Sequence, residues 1–512
     1  MPTAKVISSC TIGIDSYEVE VETDIQNGLP AFHIVGLPDA TIRESRNRIK
    51  SAIQNSGFSF PTGKITVNLA PAHIKKEGST FDLPIALSIL AAMGIIDAES
   101  AQGFVFCGEL SLDGRLKLIK GALPIVLGVK LSGRSSIILP VENNKESLAI
   151  DGINIYLCRR LSEAVDFLNG KMELLPQKKF DLNSALRQRS NYKVDFSDVK
   201  GQEHVKRGLE VAASGGHNIL MIGPPGSGKS MLAKRLPSIL SQMTFDESLE
   251  TSKIHSVSGL LSPSRGLVFT RPFRSPHHSI SDSALIGGGT NPAPGEISLA
   301  HNGVLFLDEI PEFKRNALEV LRQPLEDGSI TISRVAGTVR YPSRITLVCA
   351  MNPCPCGNFT DPKKTCHCTP YQIQRYLSKI SGPLLDRIDI HLEVPRLKYE
   401  HLADKRRGQA SETIGERVEK ARAVQQKRYQ CDDILFNAHL GPRDIERYCI
   451  LTNEAEELLK VAILELGISA RAYDKILKIS RTIADLDASD SIEAHHISEA
   501  IGYRSLDRNL WG

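Results

Sequence analysis

Residues 223–230 read Gly223-Pro224-Pro225-Gly226-Ser227-Gly228-Lys229-Ser230, preceded by the apolar run Ile219-Leu220-Met221-Ile222 and followed by the helix-like Met231-Leu232-Ala233-Lys234-Arg235-Leu236. A buried strand, a glycine-rich turn and a helix in that order make a phosphate cradle. The glycines let successive backbone N–H groups converge on phosphate oxygens, and the helix start adds the positive end of its dipole. Lys229 reaches toward the terminal phosphates and Ser230 offers its hydroxyl to magnesium. This is a Walker A loop, and it predicts an α/β P-loop fold with a nucleoside-triphosphate site.

Working outward, the run Val304-Leu305-Phe306-Leu307-Asp308-Glu309 is a buried strand ending in two acids, the Walker B arrangement. Asp308 is placed to hold magnesium, directly or through water, and Glu309 to polarise an attacking water. Hydrolysis is expected, not binding alone, with ATP and magnesium as cofactors.

The 512 residues exceed what one core organises and predict two to four domains. Hydrophobic content of 41% and charged content of 24% are those of an ordinary globular chain. The net charge of +3 does not announce nucleic acid, because a basic patch fits inside a near-neutral total. No apolar run reaches membrane-spanning length, and Met1-Pro2-Thr3-Ala4-Lys5 opens no signal peptide, so a cytoplasmic protein with no membrane partner is expected.

Residues 1–170 mix strand-like runs, Val19-Glu20-Val21-Glu22, Ala31-Phe32-His33-Ile34-Val35 and Ile65-Thr66-Val67-Asn68-Leu69, with a helical stretch over 39–55. That stretch carries Ile42, Ile49, Ala52 and Ile53 on one face, and Gly57 ends it. Residues 171–193 are polar and aperiodic and read as a linker. The nucleotide-binding domain is expected over 194–395, and helices over 416–428, 454–466, 470–486 and 495–503 make a helical domain of 396–512. Between Walker B and the next strand come a helical segment, 313–327, and a hairpin pattern, Ser329-Ile330-Thr331-Ile332-Ser333 with Thr338-Val339-Arg340-Tyr341. A strand over 344–350 then delivers Asn352.

Ten cysteines in a cytosolic chain argue against a disulfide framework. Cys354-Pro355-Cys356 and Cys366-His367-Cys368 instead bracket a polar loop, so that paired thiolates at each end supply four soft ligands to a tetrahedral ion. Zinc in a closed structural site is the expected occupant, with iron the alternative. Cys10, Cys107, Cys158, Cys349, Cys431 and Cys449 lack partners at metal spacing and read as small hydrophobes.

Asn352 resembles a sensor 1 residue. Ser381-Gly382-Pro383-Leu384-Leu385-Asp386-Arg387 resembles an arginine-finger segment, and Ser469-Ala470-Arg471 resembles sensor 2. With the blocks Gly28-Leu29-Pro30-Ala31-Phe32-His33-Ile34-Val35-Gly36-Leu37-Pro38, Arg271-Pro272-Phe273-Arg274-Ser275-Pro276-His277-His278 and Pro294-Gly295-Glu296-Ile297-Ser298-Leu299-Ala300-His301, nearly the whole chain resembles the YifB/ComM family of magnesium-chelatase-like AAA+ ATPases. The resemblance implies a Lon-like α+β domain over 1–170, an AAA+ core with a parallel sheet and inserted hairpins, and an α-helical lid. It also implies a hexameric ring in which Arg387 enters a neighbouring subunit's site.

Function implied by the resemblance is an ATP-dependent DNA motor promoting branch migration or strand exchange in recombination, as in natural transformation. The alternative is a chelatase-type or protein-remodelling ATPase that does not translocate DNA. The Lon-like part is read as non-proteolytic. Lon-type hydrolysis pairs a hydroxyl nucleophile with a lysine base; here the nucleophile position falls on Thr80, beside Ser79, and the lysine position on Pro124, with Lys120 nearby.

Two inserts are expected to face a ring channel. One carries Arg265, Arg271, Arg274, His277 and His278 ahead of Gly287-Gly288-Gly289; the other is the hairpin with Arg334 and Arg340, and Arg344 beyond it. Guanidinium groups there would neutralise phosphates of single-stranded or branched DNA without reading bases. With 5% aromatic residues, no base-stacking platform is evident.

Overall fold

The computed structural model describes residues 3–177, 192–261, 266–289, 292–334, 337–359, 364–397, 408–432, 434–466 and 469–504. The Walker A strand Ile219–Ile222 lies in a five-stranded sheet ordered Phe273–Arg274, Gly303–Leu307, Ile345–Met351, Ile219–Ile222, Ile390–Glu393, and every pairing in it is parallel. Parallel strands covered on both faces read as unbroken apolar runs, which is why Ile219–Ile222 and Gly303–Leu307 are buried at every position.

Alternate residues go to opposite faces. Ile219, Met221, Val304, Phe306, Val348, Ile390 and Leu392 enter one core, which they share with Ile414 and Val418, with Ile476 and Ile483, and with Ile497. The C-terminal helices Ser411–Arg428, Ala470–Leu486 and Ala494–Gly502 are thus packed on the sheet, not tethered beside it. Leu220, Ile222, Leu305, Leu307, Leu347 and Met351 enter the other core with Ile330, Ile332 and Tyr341 of the hairpin Ser329–Arg334 and Gly337–Pro342. Full burial of each such aliphatic side chain contributes about 1.5–3 kcal/mol.

The helix expected over 313–327 is two short ones, Arg315–Glu319 and Arg322–Asp327. Pro324 explains the break. It has no N–H to offer the Val320 carbonyl four residues back, and its ring crowds that carbonyl.

The N-terminal part forms a separate seven-stranded mixed sheet in the order Ala31–Val35, Lys64–Ala70, Asp15–Gln26, Ala4–Ile12, Val105–Phe106, Ser136–Pro140, Asn154–Cys158. Asp39 caps the helix Ala40–Asn55 by accepting from the Ile42 N–H at 2.8 Å, and the buried stripe contains Ile42, Ile49, Ala52 and Ile53. The fold is therefore α/β: a Lon-like α+β part, a P-loop AAA+ part with a parallel sheet, and a helical C-terminal region. Among the described residues, no helix is long and apolar enough to cross a membrane.

An apolar seam joins the two sheets' surroundings. Leu267 is 2% exposed and, with Phe245, Leu249 and Phe269, packs against Ile7, Leu123, Val126 and Leu139 of the N-terminal part. The turn at Gly13 (φ +64) presses on the hairpin, since a Cβ there would lie 2.3 Å from Val339 Cγ1. Of the six cysteines read as small hydrophobes, Cys10, Cys107, Cys158, Cys349 and Cys449 are buried; Cys431 is exposed, which corrects that reading for one residue.

Candidate active site

All five central strands point the same way, so their carboxyl ends open onto one crevice, where α/β sheets place ligands. Ile222 is level with Met351, and Leu307 with Cys349. Gly223, Asp308 and Asn352 consequently leave the sheet side by side. The Ser230 hydroxyl donates to Asp308 Oδ2 at 2.6 Å. Lys229 Nζ donates to the carbonyls of Gly223 (2.6 Å) and Pro224 (3.1 Å) and to Asn352 Oδ1 (3.2 Å). Burial lowers the Lys229 pKa to about 8, against an opposing pull from Asp308 and Glu309.

The loop fits a triphosphate. Gly226 (φ +74) and Gly228 (φ +96) hold left-handed conformations that other residues rarely adopt, and a Cβ on Gly226 would project into open space. A Cβ on Gly223 would strike the Val394 carbonyl at 2.1 Å. Ser230 and Asp308 are two hard oxygen donors already side by side, suited to magnesium.

Two residues beside this crevice escaped the sequence reading. Gln202 (φ +58) donates from Nε2 to the carbonyls of Ser227 (2.8 Å) and Pro395 (3.1 Å), tying the phosphate loop to the strand end that follows Glu393. Its only sequence signal is the Gly201-Gln202 turn at a helix start. His278 was assigned to a channel-facing insert, yet its Nδ1 lies 3.6 Å from Glu309 Oε2.

Arg387 and Arg471 lie elsewhere. Ile390 is level with Ile219, so Arg387, three residues earlier, sits at the amino ends of the strands, while the phosphate loop leaves the carboxyl ends. Four residues at about 3.3 Å each put roughly 13 Å of strand between them. Arg387 pairs with Glu326 and donates to the Pro383 carbonyl at 2.5 Å; Arg471, 76% exposed, pairs with Asp386 next door.

The arginines proposed for DNA divide. Arg271 is buried and donates to the carbonyls of Ser241 (2.6 Å) and Asn302 (2.8 Å) and to Glu247 (3.0 Å), which removes it as a phosphate contact. Arg274 grips Glu296 through two hydrogen bonds of 2.6 Å each, so it too acts as an internal brace. The sequence missed both because their acidic partners lie 22 and 24 residues away. Arg334 and Arg340 are exposed on the hairpin. Arg265 lies outside the described residues.

Cys354, Cys356, Cys366 and Cys368 converge, with all four sulfurs within 4.8 Å of one another. Separations of 3.3 Å (Cys354–Cys356), 3.7 Å (Cys354–Cys366) and 3.6 Å (Cys356–Cys366) approach the edge of about 3.8 Å that a ZnS4 tetrahedron with bonds of about 2.3 Å requires. Backbone N–H groups of Asn358 and His367 hold the Cys356 thiol down to about 6, favouring the thiolate that binds metal. The loop touches the phosphate cradle, because a Cβ on Gly357 would lie 2.5 Å from Pro225 Cδ.

In the N-terminal part, Ser79 donates its hydroxyl to Glu109, and Pro124 is buried within the helix Ala122–Leu131. Lys120 extends across Gly259 of the core, where a Cβ would lie 2.9 Å from its Cε. Lys76 is fully buried and donates to the Pro71 carbonyl.

Comparison with known proteins matches the profiles described as "Magnesium chelatase, subunit ChlI" over residues 195–402, "Subunit ChlI of Mg-chelatase" over 21–143 and "Magnesium chelatase, subunit ChlI C-terminal" over 408–504. The chain is 44% identical to "Competence protein ComM" of Haemophilus influenzae over 515 residues, covering 100% of this chain and 99% of that protein. It is 44% identical to "Uncharacterized protein YifB" of Escherichia coli over 512 residues, covering 100% and 98%. A 123-residue stretch is 28% identical to "Lon protease 2" of Bacillus subtilis, covering 24% of this chain and 22% of that one. With full-length likeness joined to a Walker crevice on a parallel sheet, the chain belongs to the YifB/ComM family of magnesium-chelatase-like AAA+ ATPases.

Proposed function

We propose that this protein is an ATP-driven DNA motor that promotes branch migration or strand exchange during recombination, in a competence setting like that named for its Haemophilus relative. The observation that carries the reading is a division of the machinery. Lys229, Ser230, Asp308, Glu309 and Asn352 meet at the carboxyl ends of the sheet, whereas Arg387 and Arg471 are presented at the amino ends. Such a chain completes its site only by stacking head to tail with copies of itself, which closes into a ring; we assign six subunits.

In that ring Lys229 neutralises the terminal phosphates, the Ser230 and Asp308 oxygens hold the metal, and Glu309 orients and deprotonates the attacking water. Magnesium supplies charge neutralisation across the phosphates. Arg387 and Arg471 of the adjacent copy stabilise charge on the transferring group. The four cysteines hold a structural zinc against the phosphate loop. Arg334 and Arg340 contact the DNA backbone, consistent with movement along any sequence.

The test is a labelled branched DNA mixed with purified protein, ATP and magnesium. Junction movement by the native protein and none by Lys229→Ala is the expected result. ATP consumption with no movement of any branched substrate would sink the motor reading.

A further inference from the structure

We infer that His278 restrains Glu309 and thereby links the state of the inserted loops to the chemical step; this rests on Glu309 acting as the base. Glu309 follows Asp308 at the end of the strand Gly303–Leu307 with φ +52, an uncommon left-handed conformation for a non-glycine residue, and its N–H donates to Asp308 Oδ1 at 3.0 Å. Fixed there, its side chain is half exposed. The imidazole of His278 approaches to 3.6 Å, an ion-pair distance just beyond a hydrogen bond. A carboxylate held by an imidazole N–H is both less basic and aimed away from the water it must activate.

His278 belongs to a segment that runs from the active-site sheet to the hairpin. Behind it, the strand Phe273–Arg274 is anchored by Arg274 on Glu296. Its ring stacks at 4.0 Å on His277, and Ser281 caps the short helix Asp282–Ile286 just ahead. That helix runs into Gly287–Gly288, which lies against the hairpin: a Cβ on Gly287 would be 2.7 Å from Ile332 Cδ1, and one on Gly288 would be 3.1 Å from Arg334 Nη2. The Tyr341 hydroxyl donates to the Pro292 carbonyl at 2.8 Å. A polyanion drawn to Arg334 therefore bears on the element that carries His278. Displacing that element withdraws the imidazole and frees Glu309, so His278 is a positioning residue whose contact makes hydrolysis respond to what the hairpin holds.

The experiment measures kcat and KM for ATP, with and without a single-stranded oligonucleotide, in the native protein, His278→Ala, His278→Gln, Glu309→Gln and the His278→Ala/Glu309→Gln double variant. His278→Ala should raise unstimulated kcat about threefold, the size a half-exposed ion pair can hold, with KM unchanged and oligonucleotide stimulation reduced by the same factor. His278→Gln, which keeps an N–H donor, should stay near native values. The double variant should equal Glu309→Gln. An unchanged or lowered kcat in His278→Ala, a KM that moves with kcat, or the same threefold rise in the Glu309→Gln background overturns the inference. Equal turnover by native protein and Glu309→Gln would instead show that Glu309 is not the base, overturning the reading beneath it.

Discussion

Lys229 Nζ donates across 3.2 Å to Asn352 Oδ1, joining the phosphate loop to the end of the neighbouring strand before any nucleotide arrives. Nucleotide must draw the lysine away from Asn352 and from the Gly223 and Pro224 carbonyls. Lys229→Ala should abolish measurable ATP binding. Asn352→Ala should lower kcat about a hundredfold and leave KM within about threefold, because a donor acting on charge that develops in the transition state contributes to kcat. Steady-state kinetics with nucleotide binding checks both.

Arg387 and the phosphate loop stand at opposite ends of the sheet, so two inactive variants should repair each other. An equal mixture of Lys229→Ala and Arg387→Ala chains places an intact loop against an intact arginine at about a quarter of the contacts in a randomly mixed ring. ATPase should recover to roughly that fraction of native activity. A mixture as inactive as its components would place Arg387 outside the shared site.

The four-cysteine loop should bind one zinc per chain. Cys366→Ser should lose the metal, lower Tm by about 5 °C and raise KM for ATP, because Gly357 packs against Pro225 in the phosphate cradle. Metal analysis with thermal melts reads the first two effects, and kinetics the third.

Asp389 ties the sheet to the C-terminal helices through Lys475 at 3.5 Å and His217 at 3.4 Å. Burial alone would raise its pKa, but Lys475 and His217 outweigh that and hold the carboxyl well below the ordinary aspartate range. A depressed native pKa means that the stabilisation is complete above the unfolded value of about 3.9 and is lost as pH falls toward the native one. Asp389→Asn should cost about 3 kcal/mol at pH 7 and flatten the loss of stability below pH ~4. Urea melts across that window decide it.

Arg334→Ala and Arg340→Ala should each weaken single-stranded DNA binding without regard to sequence and reduce the salt slope by about 0.7. Arg271→Ala should leave that slope unchanged and instead destabilise the fold by about 3 kcal/mol, since it strips a buried guanidinium from Glu247 and two carbonyls. Binding titrations at several salt concentrations separate the two behaviours.

What the sequence displayed was whatever is written locally. The Walker strands announced themselves as unbroken apolar runs, the helix Ala40–Asn55 through its stripe and cap, and the cysteines through their spacing. The strand Ala4–Ile12 escaped because Ser8 and Ser9 interrupt its apolar pattern; both are buried, and Ser9 is satisfied by Ser16 at 2.7 Å. The roles of Arg271, Arg274, Gln202 and His278 depend on partners brought together by the fold, which periodicity does not record.

At Gly13 not even a methyl group fits between the N-terminal turn and Val339 at the hairpin's root. A joint without slack transmits push as readily as pull. The hairpin is thus less a free finger than the short arm of a lever whose long arm is the whole N-terminal sheet, and any stroke at its tip must be registered as a tilt of that sheet.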